Sequence, residues 1–149
     1  MKIDRINEHI LQVLKKDGKI TNTVLAEKVG LSPSACLRRV QELENQGVIS
    51  GYRAVINSQK LGKGFIAYAE IGISPHTKVA QTQFEEAITL AAEVVECHNV
   101  TGTFEYLLRI ETNDMAGYKQ FHSEVLGNIP SVSAISTLVV MDSPKDDRR

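Results

Sequence analysis

The 149-residue chain has no tryptophan, two cysteines, four prolines and a formal net charge of only −1. Each scarcity removes a class of protein. No run approaches the ~20 apolar residues of a membrane span, so no membrane segment is expected. Cys36 and Cys97 fall in different halves of the chain, which argues against a disulfide and fits a cytoplasmic setting. The opening MKIDRINEHIL carries acids and no apolar block, unlike a secretory leader. Nucleophile–base orders, carboxylate pairs placed for acid–base work and phosphate loops are all missing. Cys97, His98 and His122 have no recognised ligand spacing, and adjacent strand residues point to opposite faces. Neither a catalytic site, a metal nor another cofactor is expected.

The small net charge hides an asymmetry. Residues 1–60 hold ten Lys and Arg against six Asp and Glu, a net of +4. Residues 61–149 hold seven against twelve, a net of −5. The basic half is modest, far from a polybasic tail, and one copy would hold a polyanion weakly.

That basic half contains TNTVLAEKVGLSPSACLRRVQELENQG, Thr21 to Gly47. Thr21 can cap a helix whose Leu25, Ala26 and Val29 share a face, and Gly30 sits where a left-handed residue ends it. Leu31 plugs the turn. Ser32 followed by Pro33 is a strong start signal for a second helix. At ~100° per residue, Cys36, Val40 and Leu43 face one side, with Leu37 at the margin. Ser34, Arg38, Gln41 and Asn45 face the other, with Arg39 on a flank.

This is the layout of a helix lying in the major groove of double-stranded DNA. Ser34, Arg38 and Gln41 would meet base edges and phosphates, and Arg39 would grip the backbone from the side. Thr21 and Ser32, at the two helix starts, join the DNA-contact set. An ordinary solvated amphipathic helix would carry the same pattern, so the neighbouring segments matter. Ile3, Ile6, Ile10, Val13 and Leu14 recur at helical spacing ahead of the motif, with Asp4 as a start. After it, Val48-Ile49 and Ala54-Val55-Ile56 flank Ser50-Gly51 like a hairpin, a wing from which Tyr52 and Arg53 could touch phosphates. The expected division is a winged helix-turn-helix over 1–53, a linker over 54–63 and a second domain over 64–149.

The second domain switches period. Phe65, Ala67, Ala69, Ile71 and Ile73 alternate as a strand ended by Pro75. Lys78 to Ala92 is helical, with a stripe of Ala80, Phe84, Ala87, Ile88 and Ala91. Val94 to Val100 is a strand. After Thr101-Gly102-Thr103 the unit repeats as a strand over Phe104 to Glu111, a helix with Tyr118, Phe121, His122 and Val125 inside, and a strand from Val132 to Met141. The order β-α-β-β-α-β makes an α+β chain with a ferredoxin-like antiparallel sheet under two helices. Ile66, Tyr68 and the apolar last strand leave the other face to be covered, which points to a sheet-on-sheet homodimer.

This combination resembles the leucine-responsive regulatory protein/AsnC, or feast/famine, regulators over nearly the whole chain. The carriers are IDRINEHILQVL, LAEKVGLSPSACLRRVQELENQGVISGY and TGTFEYLLRIET. The resemblance implies a transcription regulator that dimerises through its second domain and assembles further, to octamers or open helices that wrap DNA. It also implies a small effector, usually an amino acid, held between second domains. By the same resemblance, Thr101, Gly102, Thr103, Phe104, Glu105 and Tyr106 line that site, with Ser136 and Thr137 nearby. Backbone N–H groups beside a glycine suit a carboxylate, and an acidic side chain suits an ammonium. The chain departs from the family at Glu105, where aspartate is more usual; the extra methylene changes the carboxylate's reach. An architectural protein that wraps DNA without sensing a metabolite remains the alternative.

Overall fold

The computed structural model describes residues 3–146. The chain forms two compact units that meet between Val55 and Ile56. The first holds helices α1 (Arg5–Lys16), α2 (Asn22–Val29) and α3 (Pro33–Asn45). Each start is set by a local cap. The side chain of Asp4 accepts from the N–H of Asn7, Thr21 from Val24 and Ser32 from Ala35, each satisfying one N–H that the helix leaves unpaired. Gly30 closes α2 at φ 70°, in the left-handed region. The N–H of Leu31 then returns to the carbonyl of Ala26 at 2.9 Å. Ile10, Leu25, Ala26, Cys36 and Leu43 form the buried centre, and Ile6, Val29, Leu31 and Val40 pack around it.

The expected hairpin is not formed. No strand pairs Val48-Ile49 with Ala54-Val55-Ile56. The N–H of Ile49 instead donates to the carbonyl of Leu43 at 3.1 Å, so the chain leaving α3 folds back on the helix. Two strands of two or three residues offer too few ladder bonds to outcompete that arrangement.

The second unit begins with a short 3-10 turn (Ser58–Leu61), inside the segment expected as linker. It continues as β1 (Phe65–Ile73), α4 (Lys78–Thr89), β2 (Val94–Asn99), β3 (Tyr106–Thr112), α5 (Met115–Glu124) and β4 (Val132–Val139). All pairings are antiparallel, in the order β2-β3-β1-β4. The expected βαββαβ topology holds, with element ends shifted by up to three residues. Ala67, Ala69, Ile71 and Ile73 from β1 and Leu108 and Ile110 from β3 meet Phe84 and Ile88 of α4 and Tyr118 and Phe121 of α5. Both helices therefore cover one face, and each fully buried large side chain contributes about 1.5–3 kcal/mol relative to exposure.

The opposite face is mixed rather than apolar. It carries Ile66, Tyr68 and Glu70 of β1, Leu107, Arg109 and Glu111 of β3, and Ser136 and Leu138 of β4, as the registers require. Arg109 pairs there with Glu111, which also accepts from the Ser58 hydroxyl at 3.2 Å.

Candidate DNA-reading helix and effector loop

Burial sets the phase of α3. Cys36 and Leu43 are fully buried, and this turns Ser34, Arg38, Gln41 and Asn45 to the exposed side. The start of α3 is held from two sides: Asn22 Nδ2 donates to the Pro33 carbonyl at 2.8 Å, and Ser32 Oγ lies 3.3 Å from Ser34 Oγ. Thr21 and Ser32 are exposed, each serving as a cap. Leu37 adds an apolar side chain, 46% exposed, to the same surface.

Arg39 is placed differently from its expected role. Its Nη1 donates to Asp4 Oδ2 at 2.7 Å and to Asn7 Oδ1 at 2.9 Å. The guanidinium bridges α3 to the start of α1 instead of standing free on the flank. The Asn7 N–H, then Arg39, hold the Asp4 carboxyl below its ordinary value of 3.8. Tyr52, 49% exposed, also has a partner within its own unit. Its hydroxyl donates to Glu44 Oε1 at 2.7 Å, and its ring lies over Gly18, where an added Cβ would stand 3.4 Å from Tyr52 Cδ1. Desolvation first, and then Glu44, push the Tyr52 phenol up to about 12. Arg53 is exposed, but on an unpaired segment rather than a hairpin.

The loop between β2 and β3 brings five of the eight expected effector residues together. Thr101, Gly102 and Thr103 are exposed, with Phe104 and Glu105 half-buried behind them. Gly102 adopts φ 131° with open space where a Cβ would be, a backbone that other residues rarely take. The remaining three lie elsewhere. Tyr106 is the first residue of β3 and points into the helix-covered core, where its hydroxyl donates to Glu85. Burial, followed by Glu85, pushes that phenol up to about 12. Thr137 pairs with Ala69 on the same inner face and bonds the Tyr118 hydroxyl. Ser136 pairs with Glu70 on the outer face. Adjacent strand residues cannot line one surface.

Glu105 is fully engaged. Its N–H donates to the Ile71 carbonyl at 3.0 Å and its own carbonyl accepts from Val100 at 2.9 Å. The Ile73 N–H donates to its Oε2 at 2.6 Å, and His76 Nδ1 lies 3.1 Å from Oε1. A cavity of about 370 Å³ lies at the other end of the sheet, bounded by Lys63, Glu93, Asn113, Asp114, Gln120 and Glu124. None of residues 101–106 lines it. Residues 101–103 of the loop stand exposed.

Comparison with known proteins decides the family. Residues 66–149 match the Lrp/AsnC ligand binding domain and residues 3–50 match a winged helix-turn-helix DNA-binding domain. The chain belongs to the Lrp/AsnC family. It is 40% identical over 147 residues to the leucine-responsive regulatory protein of Escherichia coli K12, covering 99% of this chain and 90% of that one. A Neisseria meningitidis transcriptional regulator solved with L-Met superposes with a TM-score of 0.94 at 32% identity, over 97% of this chain and 94% of that one. The feast or famine regulatory protein of M. tuberculosis, complexed with L-methionine, gives 0.83 at 26% identity over 99% and 97%.

Within this Lrp/AsnC chain, sequence reasoning missed two partners. Asn7 joins Asp4 in holding Arg39, and His76, although an exposed residue, reaches Glu105. Neither has a local signal, because each pairs residues far apart along the chain. Among the described residues no helix is long and apolar enough to cross a membrane, and no group of three His, Cys, Asp or Glu side chains could hold a metal.

Proposed function

We propose that this Lrp/AsnC transcription regulator reads DNA with the exposed face of α3 and responds to an amino acid held by the loop at residues 101–105. Ser34, Arg38 and Gln41 meet base edges in the major groove, because an arginine fork matches guanine and a glutamine amide matches adenine. Thr21, Ser32 and Arg53 contact phosphates. Arg39 serves a different end, setting the angle of α3 through Asp4 and Asn7. The chain acts by binding and not by catalysis. The two-domain division at 54–63 lets one unit bind DNA while the other senses and assembles.

One observation carries the reading: Cys36 and Leu43 are fully buried while Ser34, Arg38 and Gln41 are exposed. Titration of labelled duplexes tests it. Arg38→Ala should lower the ratio of specific to non-specific affinity about 10- to 100-fold, the worth of one bidentate base contact. An unchanged ratio would mean that another face of α3 enters the groove.

The effector part is supported by Gly102, whose φ of 131° and open surroundings let a ligand approach the backbone, and by the acidic Glu105 that follows it in the loop. Relatives solved with L-methionine name the ligand class. Because the loop is open, the pocket is completed by a second copy, and the functional unit is a homodimer that builds larger rings such as octamers. Thermal shift against the twenty amino acids checks this. One or two should stabilise by about 2.7 kcal/mol at a hundred times their Kd. A flat response across all twenty would instead support the DNA-wrapping alternative.

A further inference from the structure

The two partners of the Glu105 carboxylate differ in kind. Ile73 is 1% exposed and ends β1, so its N–H is held by the strand and cannot turn away from Oε2. His76 belongs to the connection between β1 and α4, and its side chain is 74% exposed. Glu105 Oε1 is its one polar partner among the described residues. The imidazole can therefore swing into water with little cost, while the bond to Ile73 keeps the carboxylate aimed. Glu105 itself is only 21% exposed, so few directions of approach to Oε1 remain. His76 Nδ1 occupies one of them, at the distance that a docked ammonium nitrogen would take.

We propose that His76 is an internal stand-in for the effector's ammonium, holding Glu105 Oε1 until an amino acid displaces it. This rests on the reading of residues 101–105 as the effector loop. The longer Glu105 side chain is what makes the exchange possible, since its carboxylate reaches across to the β1–α4 connection. Each binding event trades the nitrogen of His76 for that of the ligand, and the ligand must bring a cationic nitrogen to win the trade. His76 thus lowers affinity for amino acids alone, and so narrows the preference for them over their keto or hydroxy counterparts.

Calorimetric titration of the full chain with L-methionine and L-leucine, and with the keto acid of each, tests the exchange. His76→Ala should bind the amino acid about two- to five-fold more tightly, the scale of one exposed polar side-chain contact, and leave keto-acid affinity unchanged. A support role for His76 would give the opposite sign, because removing a brace loosens the loop. Glu105→Gln keeps an acceptor for Ile73 and removes the charge, so it should weaken amino-acid binding about ten-fold or more.

If Glu105→Gln weakens binding but His76→Ala does not tighten it, the stand-in is wrong and the effector loop survives. A gain shared equally by the keto acid also overturns the exchange. If Glu105→Gln changes nothing, or none of the twenty amino acids binds the wild-type chain, the effector-loop reading fails and the inference with it.

Discussion

Arg38 and Arg39 are neighbours with opposite employment. One step along a helix turns a side chain by ~100°, enough to leave Arg38 in solvent and bring Arg39 within 2.7 Å of Asp4. The Asp4 carboxyl is held below 3.8 by the Asn7 N–H and by Arg39. A lowered folded-state value means that the stabilisation is complete above 3.8 and is lost as pH falls through the folded value. Asp4→Asn keeps the helix cap and removes the charge. Urea unfolding followed by helical circular dichroism should show the variant less stable than wild type at pH 7. The gap should close as the acid is titrated below pH 3.8. A gap that persists undiminished at low pH would show that the Arg39 contact does not depend on the Asp4 charge. Glu105 teaches the same lesson. Its type was plain in the sequence, but its two bonding partners were not.

At the scale of elements, α2, the turn and α3 were legible because every signal lies within a few residues. Thr21, Ser32-Pro33 and Gly30 act on backbone groups no more than four positions away. Gly30→Ala places a Cβ in open space but on a φ of 70°. The penalty is conformational strain of about 1–2 kcal/mol. It should lower the thermal midpoint of the helical signal by several degrees, since about 1 kcal/mol shifts a domain of this size by roughly 4–8 °C. Gly30→Asn should recover part of the loss, because asparagine tolerates the left-handed region. Equal loss in both variants would show that something other than φ limits the site. The wing illustrates the converse. Val48-Ile49 and Ala54-Val55-Ile56 have strand-like residues, yet the Leu43 carbonyl takes the N–H of Ile49 and Glu44 takes the hydroxyl of Tyr52. Those competitors sit on α3, outside the window in which a hairpin pattern is read.

At the scale of the whole molecule, the sheet face away from α4 and α5 is the one that the proposed dimer would use. Leu138 is 51% exposed there and pairs across the ladder with Tyr68. Leu138→Asp should weaken the proposed dimer about 10- to 100-fold, since a carboxylate buried in such an interface lacks a partner. Sedimentation equilibrium would register the shift toward monomer; a dimer of unaltered strength would place the interface elsewhere. The mixed character of this face came from register. Period-two patterning assigned Ile66 and Tyr68 to it, but only the pairing of Tyr68 with Arg109 and Leu138 showed what stands beside them.

The sequence by itself determined the α+β class, the helix-turn-helix with its caps, the βαββαβ order and the inward face of each element. These follow from periodicity and capping, which act over one or two turns of chain. Tertiary structure alone decided which arginine stays free, where Tyr52 and Tyr106 point, why Ser136 and Thr137 part company, and what holds Glu105. Each of those depends on groups brought together across the fold, 35 residues apart for Arg39 and Asp4 and 32 for Ile73 and Glu105. A side chain's chemistry is written in its own position, but its partners are chosen by packing.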